Sequence, residues 1–132
     1  MMLEALMAAL IFALAALAVL GFQARAERAL SDAHSRVEAR HLAHAALARM
    51  QAADNSTLYA EFDMRAGGAG YRSLVAQAQR LPGASAGRYL PEVLITDGPS
   101  LASRNAAITI QWLLPGDGAP HRYAVAAVVG GR

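Results

Sequence analysis

Few residues in this chain have a type and spacing that could do chemistry, and the most unusual of them is Glu4. It is the only charged residue among the first twenty-two, MMLEALMAALIFALAALAVLGF. A carboxylate ahead of a long apolar run requires an interfacial position, the partial positive charge of a helix N-terminus, or a counter-charge from a neighbouring molecule. In a chain that begins here, the closest positive group on a neighbouring copy is the amine of Met1. A second group is His34, His41 and His44 with Glu38, placed on one helix face. His34 and His41 are two turns apart, about 10 Å, too far to share one ion. His41, His44 and Glu38 on a single helix make an incomplete metal site. These histidines are therefore expected to contact the sheet or water, and no metal or cofactor is expected.

The other polar clusters read in the same way. Glu61 and Asp63 form a possible carboxylate pair, expected on a surface loop without a basic partner. None of the serines lies in a nucleophile elbow. Gly67 to Gly70 (GGAG) lacks the Lys and Ser/Thr of a phosphate-binding loop and is expected to be a linker. There is no Cys, which excludes thiol catalysis, disulfides and Cys-based zinc sites. Trp112 is expected in the core. No catalytic arrangement stands out, and the expectation is a protein that is not an enzyme.

The elements that must position these residues begin with one helix. From Ala5 to Phe22 every residue is apolar or Gly, within the range of about 17–25 residues needed to span a bilayer. The run exceeds the roughly 7–15 apolar residues of a secretory signal. The sequence after it stays helical, so it is expected to remain as an anchor. Ala5, Ala9 and Ala13 recur every four residues, a spacing that lets helix backbones approach closely in lipid. Residues 23–53 continue the helix, with no Pro before Pro82 and no Gly between Gly21 and Gly67. Arg28, Asp32, Arg36 and Arg40 give a polar stripe. Ala26, Leu30, Ala33 and Val37 give an apolar face, extended on a rotated face by Leu47 and Met50. The whole helix would run about 53 residues, roughly 80 Å. Gly21 at the junction of its two halves is a candidate bend or melting point.

Residues 54–70 are expected to be a loop with Gly67, Gly68 and Gly70 as its flexible part. A small α+β domain is expected over 71–132. It opens with a helix from Tyr71 to Leu81, stopped by Pro82-Gly83. A strand follows at Tyr89 to Thr96, with Pro91 suggesting an edge. Ala106 to Leu114 and His121 to Val129 then form a hairpin around PGDGAP. A hairpin needs a third strand or a helix to cover it, and the amphipathic half of the long helix is available. The fold class is α+β, a long helix on a small antiparallel sheet. The net charge of +2 rests on twelve scattered Arg and no Lys, so no direct nucleic-acid binding is expected.

Taken together, MLEALMAALIFALAALAVL resembles the N-terminal signature of the type IV pilin-like superfamily. In that family a basic leader is cut by a prepilin peptidase and the new N-terminus is methylated. The glutamate is fifth in the processed chain and neutralises a neighbour's amine during assembly. That role falls on Glu4, fourth here, so Met1 corresponds to the second mature residue or to a replaced start. The basic leader would also hold the N-terminus inside, although Arg25 and Arg28 follow the apolar run and no Arg or Lys precedes it. LARMQAADNS at 47–56, the helix ending in LPG at 81–83, and ITIQWLL at 108–114 resemble PilV-type minor pilins. LIFALAALAVL is also similar to the I-type minor pseudopilin of type II secretion. The resemblance implies a pilin-like fold and a non-catalytic role in pilus assembly or initiation, and through it motility, adhesion or DNA uptake. Its partners would be other pilins through the N-terminal helix, the inner membrane, and the inner-membrane assembly platform. Localisation would be the bacterial inner membrane, with the C-terminal domain periplasmic, and then an extracellular pilus or periplasmic pseudopilus. Two rivals of other classes are a single-pass membrane scaffold with a coiled-coil stem, which predicts no sheet, and an extracytoplasmic binding module on a stalk, which predicts a pocket between sheet and helix.

Overall fold

The computed structural model describes residues 1–130. Helix α1 runs from Met2–Ala52, 51 residues, and stays helical through Gly21. Ala, Leu, Arg, Glu and Gln dominate it, all good helix formers. Past its end, the Thr57 hydroxyl and backbone N–H both donate to the Asp54 carbonyl, at 3.0 Å each, shaping the polar turn at 54–57.

The chain divides into two units, Met1–His34 and Ser35–Arg132. The first is helix alone. It contains a stretch long and apolar enough to cross a membrane, and no part of that stretch is buried.

The second unit holds the remainder of α1, then α2 (Leu58–Phe62), α3 (Ala69–Ala78), β1 (Glu92–Asp97), β2 (Ser103–Trp112) and β3 (His121–Gly130). The strands form one antiparallel sheet in the order β1-β2-β3. Period-2 alternation puts one set of side chains inward. Val93 stands opposite Ile108 and Ile95 opposite Ala106, while Ile108 faces Val125 and Ile110 faces Tyr123. These inward residues pack with Ala39, Ala43, Ala46, Leu47 and Met50 of α1, and with Leu58, Phe62, Leu74 and Leu81. The unit is thus α+β, with a helix laid across a three-stranded antiparallel sheet. Trp112 lies in this core, 1% exposed.

Three expectations change. The buried side of α1 in this unit is Ser35, Ala39, Ala43, Ala46, Leu47 and Met50, not the face through Leu30 and Val37, which are 72% and 66% exposed. The small side chains of Ala39 and Ala43 let the helix backbone approach the sheet, so closeness, not bulk, selects the face. Residues 54–70 contain helix α2 and the start of α3. Gly68 and Gly70 there are places of tight packing, not flexible links. A Cβ at Gly68 would lie 2.1 Å from the Ala60 carbonyl oxygen, and one at Gly70 would lie 2.4 Å from the Phe62 ring. Finally, β1 begins at Glu92 because Tyr89, with φ +53, breaks the extended run before it.

Candidate assembly surfaces

In the first unit, Glu4 occupies the first turn of α1. There the unpaired N–H groups of the helix start favour a negative charge. The Ala5 N–H donates to the Met1 carbonyl at 3.2 Å, which closes the first turn and fixes Glu4 beside Met1 in sequence and in space. Ala5, Ala9 and Ala13 follow on one stripe of the same helix, all exposed. Around them Leu6, Leu10, Phe12, Leu17 and Phe22 are between 61% and 76% exposed. A contiguous apolar surface of this extent exceeds the few hundred Å² that monomeric soluble proteins leave open. By length and composition the stretch could cross a membrane.

In the second unit, the most elaborate polar site is one that the sequence reading placed on a loop without a partner. Asp63 is fully buried at its side chain, 0% exposed, against 55% for Arg65. Its Oδ1 accepts from the Arg65 backbone N–H at 2.8 Å and from Arg65 Nε at 2.9 Å. Its Oδ2 accepts from Arg65 Nη2 at 3.0 Å and from the Ile95 backbone N–H at 2.9 Å. The Met64 N–H donates to the Val93 carbonyl at 3.0 Å. Residues 63–64 thereby occupy the outer edge of β1, one through a side chain and one through the backbone. The bidentate Arg65 contact, followed by the backbone donors, outweighs burial and lowers the Asp63 carboxyl to about 2. The same pairing raises the Arg65 guanidinium further. Arg65 also lies over the Tyr59 ring, 5.5 Å from its centroid. Glu61, the other half of the expected carboxylate pair, is exposed and takes no part. The Asp-x-Arg spacing was the one available signal, since an Asp at the head of a turn accepts from the backbone N–H two residues on, which brings that residue's side chain beside it.

Nearby, the Tyr71 hydroxyl donates to the Pro91 carbonyl at 3.0 Å, tying α3 to the chain just before β1. Burial, then the Glu92 charge, pushes the Tyr71 phenol up. The histidines do not converge. His34 and His41 are exposed, and His44 Nε2 lies 3.2 Å from the Tyr123 hydroxyl on β3. Among the described residues no group of three or more His, Cys, Asp or Glu is placed to hold a metal. Trp112 stacks on His121, with centroids 5.7 Å apart, and His121 Nε2 meets Asp117 at 2.7 Å, closing the hairpin turn.

The two edges of the sheet differ. That of β1 is covered as described. Among the described residues, no backbone hydrogen bond joins β3 to anything but β2. Compared with known protein families, with curated proteins and with solved structures, the chain gives no match.

Proposed function

We propose that this chain is a minor pilin of a type IV pilus, most like the PilV type, and that its work is assembly rather than catalysis. It is held in the bacterial inner membrane by the apolar half of α1, with the sheet-bearing unit in the periplasm, until it joins a filament or its initiating complex. The carrying observation is the unburied apolar helix with Glu4 in its first turn, in a chain whose second unit packs a helix on a small antiparallel sheet. In this reading the stripe of Ala5, Ala9 and Ala13 packs against neighbouring helices, and Glu4 sets axial register against a neighbour's terminal amine. Prepilin peptidase and the inner-membrane assembly platform act before it. The three-stranded sheet speaks against a simple coiled-coil stem. The filled space between sheet and helix, where Ala39, Ala43 and Ile108 are 0% exposed, speaks against a binding module with a pocket there.

A type II secretion pseudopilin would use the same chemistry, and the genes around this one distinguish the two. The experiment for the shared mechanism is Glu4→Ala in cells, with the protein measured in membranes and in sheared filaments. Membrane content should be unchanged. Filament content should fall by about tenfold or more, the loss of one charge-assisted contact of about 1.5–3 kcal/mol. Normal incorporation of the variant removes the register role.

A further inference from the structure

We propose that the hairpin turn between β2 and β3 carries a self-modification site, at which Asp117 and Gly118 convert without an enzyme to an isoaspartyl linkage, with His121 as the proton donor.

The chemistry is intramolecular. The Gly118 backbone nitrogen attacks the side-chain carbon Cγ of Asp117 and forms a five-membered succinimide. The new bond is N–Cγ, and a Cγ–O bond breaks. That oxygen leaves as water, taking the proton of the carboxyl and the proton of the Gly118 nitrogen. Water then opens the ring at either carbonyl. One opening restores aspartate. The other leaves the main chain running through Cγ, one carbon longer, with the carboxylate on a shortened side chain. Water is the only co-reactant. A glycine in the second position favours ring closure, because it has no Cβ to obstruct the approach.

The chain holds two Asp-Gly pairs, Asp97-Gly98 and Asp117-Gly118, and the fold treats them differently. At the first, the attacking nitrogen is engaged. The Gly98 N–H donates to the Ser103 carbonyl at 3.1 Å. A Cβ at Gly98 would lie 2.5 Å from Ser103 Oγ, so the backbone there has no room to turn. Asp97 is itself paired in the sheet opposite Arg104. Its carboxylate meets the Arg104 guanidinium, a group that holds its proton throughout the working pH range. Reaction at Asp97 therefore requires the end of β1 to open first.

At the second pair each of these restraints is missing. Among the described residues, the Gly118 N–H donates to no backbone acceptor. A Cβ at Gly118 would meet nothing within 4 Å. Both residues are exposed. The partner of the Asp117 carboxylate is an imidazole, with His121 Nε2 at 2.7 Å from Oδ2. Unlike a guanidinium, an imidazole exchanges its proton near neutral pH. The nucleophile is free, the ring has space to close, and the departing oxygen has a donor at hand. The product matters locally. The longer main chain draws the carboxylate away from His121, whose ring stacks on Trp112 at 5.7 Å.

The test compares the two pairs within one molecule. The full chain is aged at neutral pH in a neutral detergent, folded or in urea, and then cleaved after Arg. Cleavage puts the pairs on separate fragments, 89–104 and 105–122. Fragmentation mass spectrometry counts isoaspartate in each. In the folded chain it should build up in 105–122 at least about tenfold faster than in 89–104, because an engaged or misplaced attacking atom costs that much. In urea the two rates should converge. His121→Phe keeps an aromatic ring beside Trp112 and removes the donor. It should slow 105–122 by about threefold or more in the folded chain and leave 89–104 unchanged. The parent chain alone carries the first comparison if that variant does not fold. Equal rates at the two pairs in the folded chain overturn the proposal, as does a contrast that persists in urea. Faster reaction in His121→Phe, the result of a merely loosened hairpin, overturns the role of His121.

Discussion

Replacing Asp63 by Asn removes a single charge while keeping the side chain's shape, and its cost can be worked from the four contacts at the site. Whichever way the amide is turned, its NH2 group faces donors. At the Oδ2 position those are the Ile95 N–H and Arg65 Nη2, and at the Oδ1 position two Arg65 donors. A buried donor left without an acceptor costs about 1–3 kcal/mol. The ionisation route gives a comparable figure. A carboxyl moved from 3.8 to about 2 contributes at most about 2.4 kcal/mol at neutral pH, and water at the half-exposed Arg65 guanidinium screens this to about 1–2 kcal/mol. Because the folded value is the lower one, the contribution is complete above the unfolded pKa and is lost as pH falls through the folded one. About half remains at pH 3 and less than a quarter at pH 2. The only tryptophan, Trp112, is buried in the same core, so its fluorescence reports unfolding of this unit. In urea titrations of the full chain in detergent, Asp63→Asn should be about 2 kcal/mol less stable than the parent at pH 7, and the difference should close toward pH 2. A variant as stable as the parent at pH 7, or a deficit that stays constant down to pH 2, refutes the reasoning.

Other substitutions check the packing by the same readout. Gly68→Ala should cost about 2–3 kcal/mol or more, because the neighbour its Cβ meets at 2.1 Å is backbone and cannot rotate away. On α1, Val37→Ser should change stability by less than about 0.5 kcal/mol, whereas Ala43→Leu should cost about 1–3 kcal/mol, since Ala43 has no exposure.

What could be read from the sequence follows physical signal strength. The apolar run and the unbroken helix past it are strong, one-dimensional patterns, and α1 ends within a residue of the expected 53. The hairpin was legible because PGDGAP separates two β-rich stretches, and Trp112 had only one apolar place to go. The packing face of α1 was not legible. In a helix this rich in alanine, the stripe through Ala39, Ala43 and Ala46 looks no more apolar than the one through Leu30 and Val37, and only the sheet's position selects between them. Helix α2 is a single short turn fixed by the burial of Leu58 and Phe62, and its length gives no periodicity to detect. Arg65, two residues on, supplies three of the four contacts of Asp63, but the site was missed because only the fold buries the carboxylate and brings the Ile95 N–H, 32 residues away, onto it. Glu4, Met1, Ala5, Ala9, Ala13 and Gly21 all lie in the first unit, whose helix the sequence anticipated. What a neighbour does there depends on a second molecule.

The closure of the β1 edge has a consequence for the growth of the sheet. A sheet edge with unpaired backbone groups is a template for a further strand. Asp63 and Met64 fill the β1 border with contacts from within the chain, so a strand added there must first displace a buried carboxylate and its four hydrogen bonds. The monomer itself thus blocks extension of its sheet from that side.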